Sequence, residues 1–222
     1  REVAPMLVFL PTDDQAVDLE RFASATPETR TAMRERLGIA EKRVMVYVGS
    51  FGGWYLTKET ADFFGAFCEK YSNAFAMILT QSKPEVIEPL LRYAGYKDGE
   101  YLITRVPSTE IPEYLVAADM AVSFIKPCYS KQASSPTKNA EYLACGLPII
   151  ANSGVGDVDV LIEGRGVGAL IEKFDRESYL RAFDRIETLG DIAGHCRSVA
   201  TDEFDLKTIG GRRYRRLYSA LR

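Results

Sequence analysis

The sequence predicts an α/β domain: a mostly parallel sheet with helices on both faces, three layers deep. Three observations predict it. Short β-branched and apolar runs alternate with helical patterns along most of the chain. Several of those runs are apolar at both alternating positions, as strands covered on both faces are. The helical stretches between them carry readable start and stop residues.

The first 25 residues are irregular and do not fit the alternation. Thr26 then suits an N-cap with Pro27 at the first helical position, and that helix ends near Gly38. Val44–Gly49 is the first strand, Val-Met-Val-Tyr-Val-Gly. Thr57 opens a helix through Phe63, Phe64 and Phe67 to about Tyr71, and Phe75–Thr80 follows as a strand. Pro84 starts the next helix, Tyr101–Val106 is a strand, and Ser108 caps a helix running to about Asp119. Met120–Ile125 is the fourth strand. Ser135, Pro136 and Gly146 read as N-cap, first helical residue and C-terminal stop of a short helix. Leu147–Ala151 and Val167–Ile171 complete the strands, and Asp175 and Asp205 open the last two helices.

Composition narrows the chemistry. With 222 residues, 46% of them hydrophobic, the chain can build a sizeable core, and a net charge of -3 argues against nucleic acid as a partner. No run of eighteen apolar residues could form a membrane-spanning helix, and no signal peptide is visible. Cys68, Cys128, Cys145 and Cys196 lack metal-type spacing and read as buried, reduced thiols of a cytoplasmic protein. His195 is the only histidine, so a multi-histidine zinc site is impossible and any Ser/His/Asp site would have to use it. It lies in a polar helical stretch and reads as a surface residue. The chain starts at Arg1 without methionine, which reads as a piece of something longer.

The most informative stretch runs from Ser134 to Asn152. The free N–H groups of a helix N-terminus attract anions, phosphate above all. Lys138 and Glu141, three residues apart, share one helix face and could offer a cation to a diphosphate and a carboxylate to sugar hydroxyls. The alternative is a surface ion pair worth about 0.2–0.5 kcal/mol. The small and apolar residues Ala140, Leu143, Ala144 and Cys145, and a position just after a strand-to-helix loop, favour the site.

Other motifs are weaker. Gly49-Ser50-Phe51-Gly52-Gly53 follows a strand, where glycines let a ligand approach the backbone, but it matches neither G-x-G-x-x-G nor the Walker loop. An ordinary glycine turn is the alternative. Trp54 and Tyr55 beside it either stack on a ligand or cover the loop. Gly164–Ala169 fits G-x-G-x-x-A, yet a strand follows it where the dinucleotide fingerprint needs a helix. Asp157-Val158-Asp159 reads as a loop or helix start in preference to a metal pair. Arg212–Arg216 reads as the solvated face of a terminal helix whose inward stripe is Tyr214, Leu217, Tyr218 and Leu221. A peripheral membrane surface or a second domain is the lesser reading of those arginines.

At these residues the chain resembles the C-terminal, donor-binding domain of GT-B glycosyltransferases, in the large retaining family of the group 1, or family 4, type. Glu141-Tyr142-Leu143-Ala144-Cys145-Gly146-Leu147-Pro148-Ile149-Ile150 is similar to that family's signature around its second glutamate. Val44–Gly53 resembles the glycine loop after its first strand, and Val17–Phe22 the segment by which the chain enters the second domain. The resemblance implies a Rossmann-like domain, one half of a GT-B fold, over 1–222, with 1–25 as an interdomain lead-in and 205–222 as a terminal helix. It implies Glu141 on the ribose of a UDP- or GDP-sugar donor, and Ser135, Pro136 and Thr137 near its diphosphate. Gly52 and Gly53 would line the cleft, Val106 and Pro107 flank the base, and Ser134 lie at the sugar. Lys138 and Lys58 would neutralise the diphosphate without a metal or other cofactor.

The chain departs from that pattern at two positions. Ala133 stands where the family usually has a sugar-contacting glutamate, and Ser50 where it often has a basic residue. No catalytic residue is assigned. The implied reaction is retaining transfer to an acceptor hydroxyl in cell-envelope or polysaccharide synthesis, in the cytoplasm or at the inner face of the membrane. The acceptor-binding N-terminal domain would be absent from this chain, which alone would bind donor and transfer poorly or not at all. A non-catalytic nucleotide-sugar or partner-binding module is the alternative, as is a sugar-nucleotide epimerase, against which the lone His195 counts.

Overall fold

The computed structural model describes residues 16–132, 135–211, 215 and 219. Residues 1–15, Ala133 and Ser134 lie outside these, as do Arg212, Arg213, Tyr214, Arg216, Leu217, Tyr218 and Leu221.

Six strands form one sheet: β1 (Arg43–Val48), β2 (Ala74–Leu79), β3 (Tyr101–Thr104), β4 (Met120–Ser123), β5 (Ile149–Asn152) and β6 (Gly168–Ile171). Their spatial order is β3-β2-β1-β4-β5-β6, and every pairing is parallel. The helices are α1 (Pro27–Arg36), α2 (Thr57–Lys70), α3 (Pro84–Tyr93), α4 (Ile111–Val116), α5 (Thr137–Ala144), α6 (Arg176–Leu189) and α7 (Ala193–Phe204).

Period-two alternation splits the core into two clusters. On β1, Val44 and Val46 face one way, toward Met33 of α1, Leu115 of α4, Leu143 of α5 and Val199 of α7. Met45 and Tyr47 face the other way, toward Phe63 and Phe67 of α2, Ile87 of α3 and Phe183 of α6. The predicted three-layer parallel architecture is the one observed. Chain order reverses between β1 and β4, and in such sheets the ligand crevice lies outside the carboxyl ends of the strands at that switch.

Several helix ends follow the sequence. The side chains of Thr26, Asp175 and Asp205 accept the cap bonds expected of them. Three expectations change. α4 starts at Ile111, not at Ser108, because Pro112 has no N–H and belongs in a first turn rather than in a helix interior. Asp205 caps a short π-helical turn, Leu206–Gly210. α7 is a separate helix; no side chain caps its start at Ile192, and a glycine sits at its second position, so no strong start signal marks it. Cys145 and Cys196 are buried as expected, whereas Cys68 and Cys128 are half-exposed; all four thiols are free. His195 is exposed, and its Nε2 lies 2.6 Å from the carbonyl of Arg165. Among the described residues no helix is long and apolar enough to cross a membrane.

Gly168 makes the tightest backbone approach in the sheet. It is registered against Ile149, and a Cβ on it would fall 1.9 Å from the Ile149 carbonyl oxygen. Gly168→Ala is therefore expected to push β6 away from β5 and to cost about 1–3 kcal/mol, the range for overpacking a close contact. The urea midpoint of the variant checks it.

Candidate functional site

The carboxyl ends of β1 and β4 are tied together by the loops that leave them. Tyr55 and Ile125 form an isolated antiparallel bridge, and the Lys126 N–H donates to the Trp54 carbonyl at 2.8 Å. Gly49 makes the turn out of β1 with φ 143°, a conformation that favours glycine. The Tyr142 hydroxyl, one turn into α5, accepts the N–H of Val48 at 2.9 Å and fixes the helix against the end of β1.

These contacts enclose a cavity of about 430 Å³. One wall is the head of α5, Ser135 to Lys138 and Glu141; Gly49, Trp54, Ile125 and Lys131 close the other side. A second cavity of about 200 Å³ shares Val48, Gly49 and Tyr55 with the first and reaches Val106 at the end of β3. The two form one cleft across the carboxyl ends of β3, β2, β1 and β4.

The head of α5 differs in detail from the expected cap. Pro136, with ψ 110°, is the N-cap residue, Thr137 is the first helical residue, and Ser135 is buried one step earlier. Among the described residues no side-chain cap bond is made there, and the Asn139 N–H goes to the Pro136 carbonyl at 2.9 Å. The head of that helix lines the larger cavity, with Thr137 exposed there.

Lys138 is not a solvated surface lysine. It is 9% exposed, and its Nζ has no hydrogen-bond partner among the described residues. Its ammonium sits 4.7 Å from the centre of the Tyr47 ring and 4.8 Å from that of Tyr55. Burial pushes its pKa down from 10.5 to about 7. The surface ion-pair alternative fails for this reason. Glu141, half-buried on the same side, is raised above the usual carboxylate range by burial, with the Arg21 charge acting in the opposite sense.

The other expected site residues divide between the cleft and its surroundings. Gly52 and Gly53 are exposed and adopt φ 95° and 63°; they shape the turn carrying Trp54, and the Gly52 N–H goes to the Thr57 hydroxyl at 2.8 Å. Lys58 points out from α2 and pairs with Asp62 at 2.6 Å, away from both cavities. Val106 is buried at the base of the smaller cavity. Ser134, assigned to the sugar, lies outside the described residues. The Asp159 carboxylate of the Asp-x-Asp pair is taken up by the Ser153 hydroxyl at 2.5 Å and the Gly154 N–H. Tyr55 covers the loop by packing on Tyr47, 6.3 Å between centroids, whereas Trp54 is 53% exposed. Sequence reasoning missed Lys131, Tyr47 and Tyr142. Only Tyr142 carried a signal, since it falls at i+4 from Lys138 on the same helix face.

A parallel sheet in the order 3-2-1-4-5-6 with helices on both faces, and a cleft at its switch point, defines a Rossmann-like half-domain. Residues 29–201 match the family described as glycosyl transferases group 1, and the chain belongs to that family, as a GT-B domain. It is 24% identical over 212 residues to the GDP-mannose-dependent alpha-(1-6)-phosphatidylinositol monomannoside mannosyltransferase of Mycolicibacterium smegmatis, covering 88% of this chain and 53% of that protein. Its fold matches Anabaena HepE, solved in complex with UDP-glucose, with a TM-score of 0.70 and 19% identity, over 92% of this chain and 56% of that one. It also matches the C-terminal domain of the group 1 glycosyl transferase LpcC from Francisella tularensis, with a TM-score of 0.63 and 19% identity, over 86% of this chain and 100% of that one. The chain therefore spans about half the length of the mannosyltransferase it matches.

Proposed function

We propose that this chain is the donor-binding half of a retaining glycosyltransferase that takes a UDP- or GDP-sugar and transfers the sugar to an acceptor hydroxyl. One observation carries the reading: the buried Nζ of Lys138, without a hydrogen-bond partner among the described residues, stands beside the head of α5 in a cavity at the sheet's switch point. A buried ammonium without a counter-ion costs free energy that an arriving dianion offsets.

The cleft accommodates the parts of such a donor in order. The base lies beside Val106, the ribose hydroxyls donate to Glu141, and the diphosphate meets the α5 amides and Lys138. As the glycosidic bond breaks, charge builds on the leaving diphosphate, and preorganised amide dipoles and the ammonium stabilise it. No metal is invoked in that step. The acceptor is held by a further, N-terminal domain, and the reaction takes place between the two halves. Support for that arrangement is that the chain covers 53% of the mannosyltransferase and all of the isolated C-terminal domain of LpcC. The proposed setting is envelope or polysaccharide synthesis in the cytoplasm, at the inner face of the membrane. The name of the mycobacterial relative, which gives a phosphatidylinositol monomannoside as its substrate, supports it.

Titration calorimetry with UDP, GDP and CMP tests the proposal. The expected result is that UDP or GDP binds and that Glu141→Ala weakens it about tenfold, as loss of hydrogen bonds to a charged group does. Absence of binding by all three nucleotides would overturn the donor reading and favour a partner-binding module.

A further inference from the structure

The two cavities give the cleft a direction. The smaller reaches Val106 over the ends of β2 and β3, and the larger runs past Ile125 to Trp54 and Lys131 beyond β4. With the base beside Val106 and the diphosphate at the head of α5, the end left for the donor's sugar is the one built by Trp54 and Lys131. The step rests on the reading of the cleft as a nucleotide-sugar site.

Trp54 is the only tryptophan of the chain and is 53% exposed, yet it is braced. Its carbonyl holds the Lys126 N–H at 2.8 Å, and its neighbour Tyr55 bridges Ile125. The Lys131 ammonium stands 5.3 Å from the centre of its ring. An indole face is apolar in area and negative in quadrupole, so it suits the C–H face of a pyranose ring as well as a cation.

We propose that Trp54 is the wall on which the donor's sugar packs, with Lys131 as the positioning residue that holds the indole in place. Trp54 then sets how much tighter a sugar-bearing nucleotide binds than the bare nucleoside diphosphate.

The test compares UDP with UDP-glucose and GDP with GDP-mannose, by calorimetry and by tryptophan fluorescence, which here reports Trp54 alone. In the unaltered protein the sugar-bearing form of the bound nucleotide should bind about tenfold tighter and change the fluorescence more than the bare form. Trp54→Ala should erase that increment while leaving bare-nucleotide affinity within about twofold. Trp54→Phe should keep most of it, and Lys131→Met should lose part. Unchanged far-UV circular dichroism controls for folding. An increment that survives Trp54→Ala, equal weakening of both ligand forms, or no increment in the unaltered protein would overturn this inference alone. Failure of every nucleotide to bind would overturn the donor reading and this inference with it.

Discussion

Lys138→Met is expected to raise thermal stability and to remove about 99% of the affinity for a nucleoside diphosphate. The stability gain follows from the cost of the buried amine. Burial takes its pKa from 10.5 down to about 7, which sets an upper limit of about 5 kcal/mol on the penalty. Two tyrosine rings at 4.7 and 4.8 Å offset part of it by cation–π attraction. Methionine removes that penalty with a side chain of similar length that packs well on aromatic rings.

The pH dependence has a definite sign. The unfolded amine titrates near 10.5 and the folded one near 7, so between those values the unfolded chain holds more protons and stability rises with pH. Below 7 the whole penalty is present, and above 10.5 it is gone. Lys138→Met should flatten that slope. Binding reverses the balance, because a diphosphate against Nζ favours the ammonium, so nucleotide binding should take up protons near neutral pH. Calorimetry in buffers of different ionisation enthalpy measures the uptake. Loss of a charge-assisted bond in a dry site, about 2–3 kcal/mol, gives the roughly hundredfold drop in affinity. A variant that binds as well as the original would remove Lys138 from the donor site.

The parts of this fold that were legible were those whose physics is local. All six strands were readable as short apolar runs between helical patterns, most plainly Ala74–Leu79, which is buried on both faces and apolar at every position. Thr26 and Asp175 were readable because a cap needs only its own helix. The candidate site was legible at Ser135–Glu141, where a helix start and a glycine stop bracket charged residues that line the larger cavity. What was not legible depends on residues distant in sequence. That Lys138 is buried follows from Tyr47 and Tyr55 folding over it, which the i,i+3 spacing to Glu141 cannot report. Gly52 was expected in the cleft because it follows a strand, and Lys58 because the family resemblance implies a lysine there. The turn at Gly52–Gly53 carries Trp54 into the cleft instead, and Lys58 faces away. α7 went unseparated because no side chain caps its start at Ile192.

Asp119→Ala is expected to cost about 3–5 kcal/mol, a large share of a domain stability of about 5–15 kcal/mol. Asp119 sits at the amino ends of the strands, opposite the cleft, and its nearly buried carboxylate makes three contacts. Oδ1 is 2.5 Å from Arg30 Nη2, and Oδ2 accepts the Val44 N–H at 2.7 Å and lies 3.6 Å from Arg34 Nη1. The two arginines also donate to the carbonyls of Val116 and Ala117, each at 2.7 Å, so α1 is pinned to the end of α4 and to β1. Arg34 is buried and keeps its charge, although burial works against it and Asp119 is the principal opposing influence. Alanine would leave that guanidinium without its counter-ion and the Val44 N–H without its acceptor, and an uncompensated buried charge dominates the cost. Asp119→Asn keeps an acceptor for Val44 but not the charge, so its loss should fall between the two. Urea unfolding of both variants measures the order. Nucleotide affinity of the folded protein should be unchanged in each, because the network lies at the other end of β1 from Gly49. A cost below about 1 kcal/mol for Asp119→Ala, the range of an exposed pair, would mean that water reaches the network and that the arginines hold α1 without it.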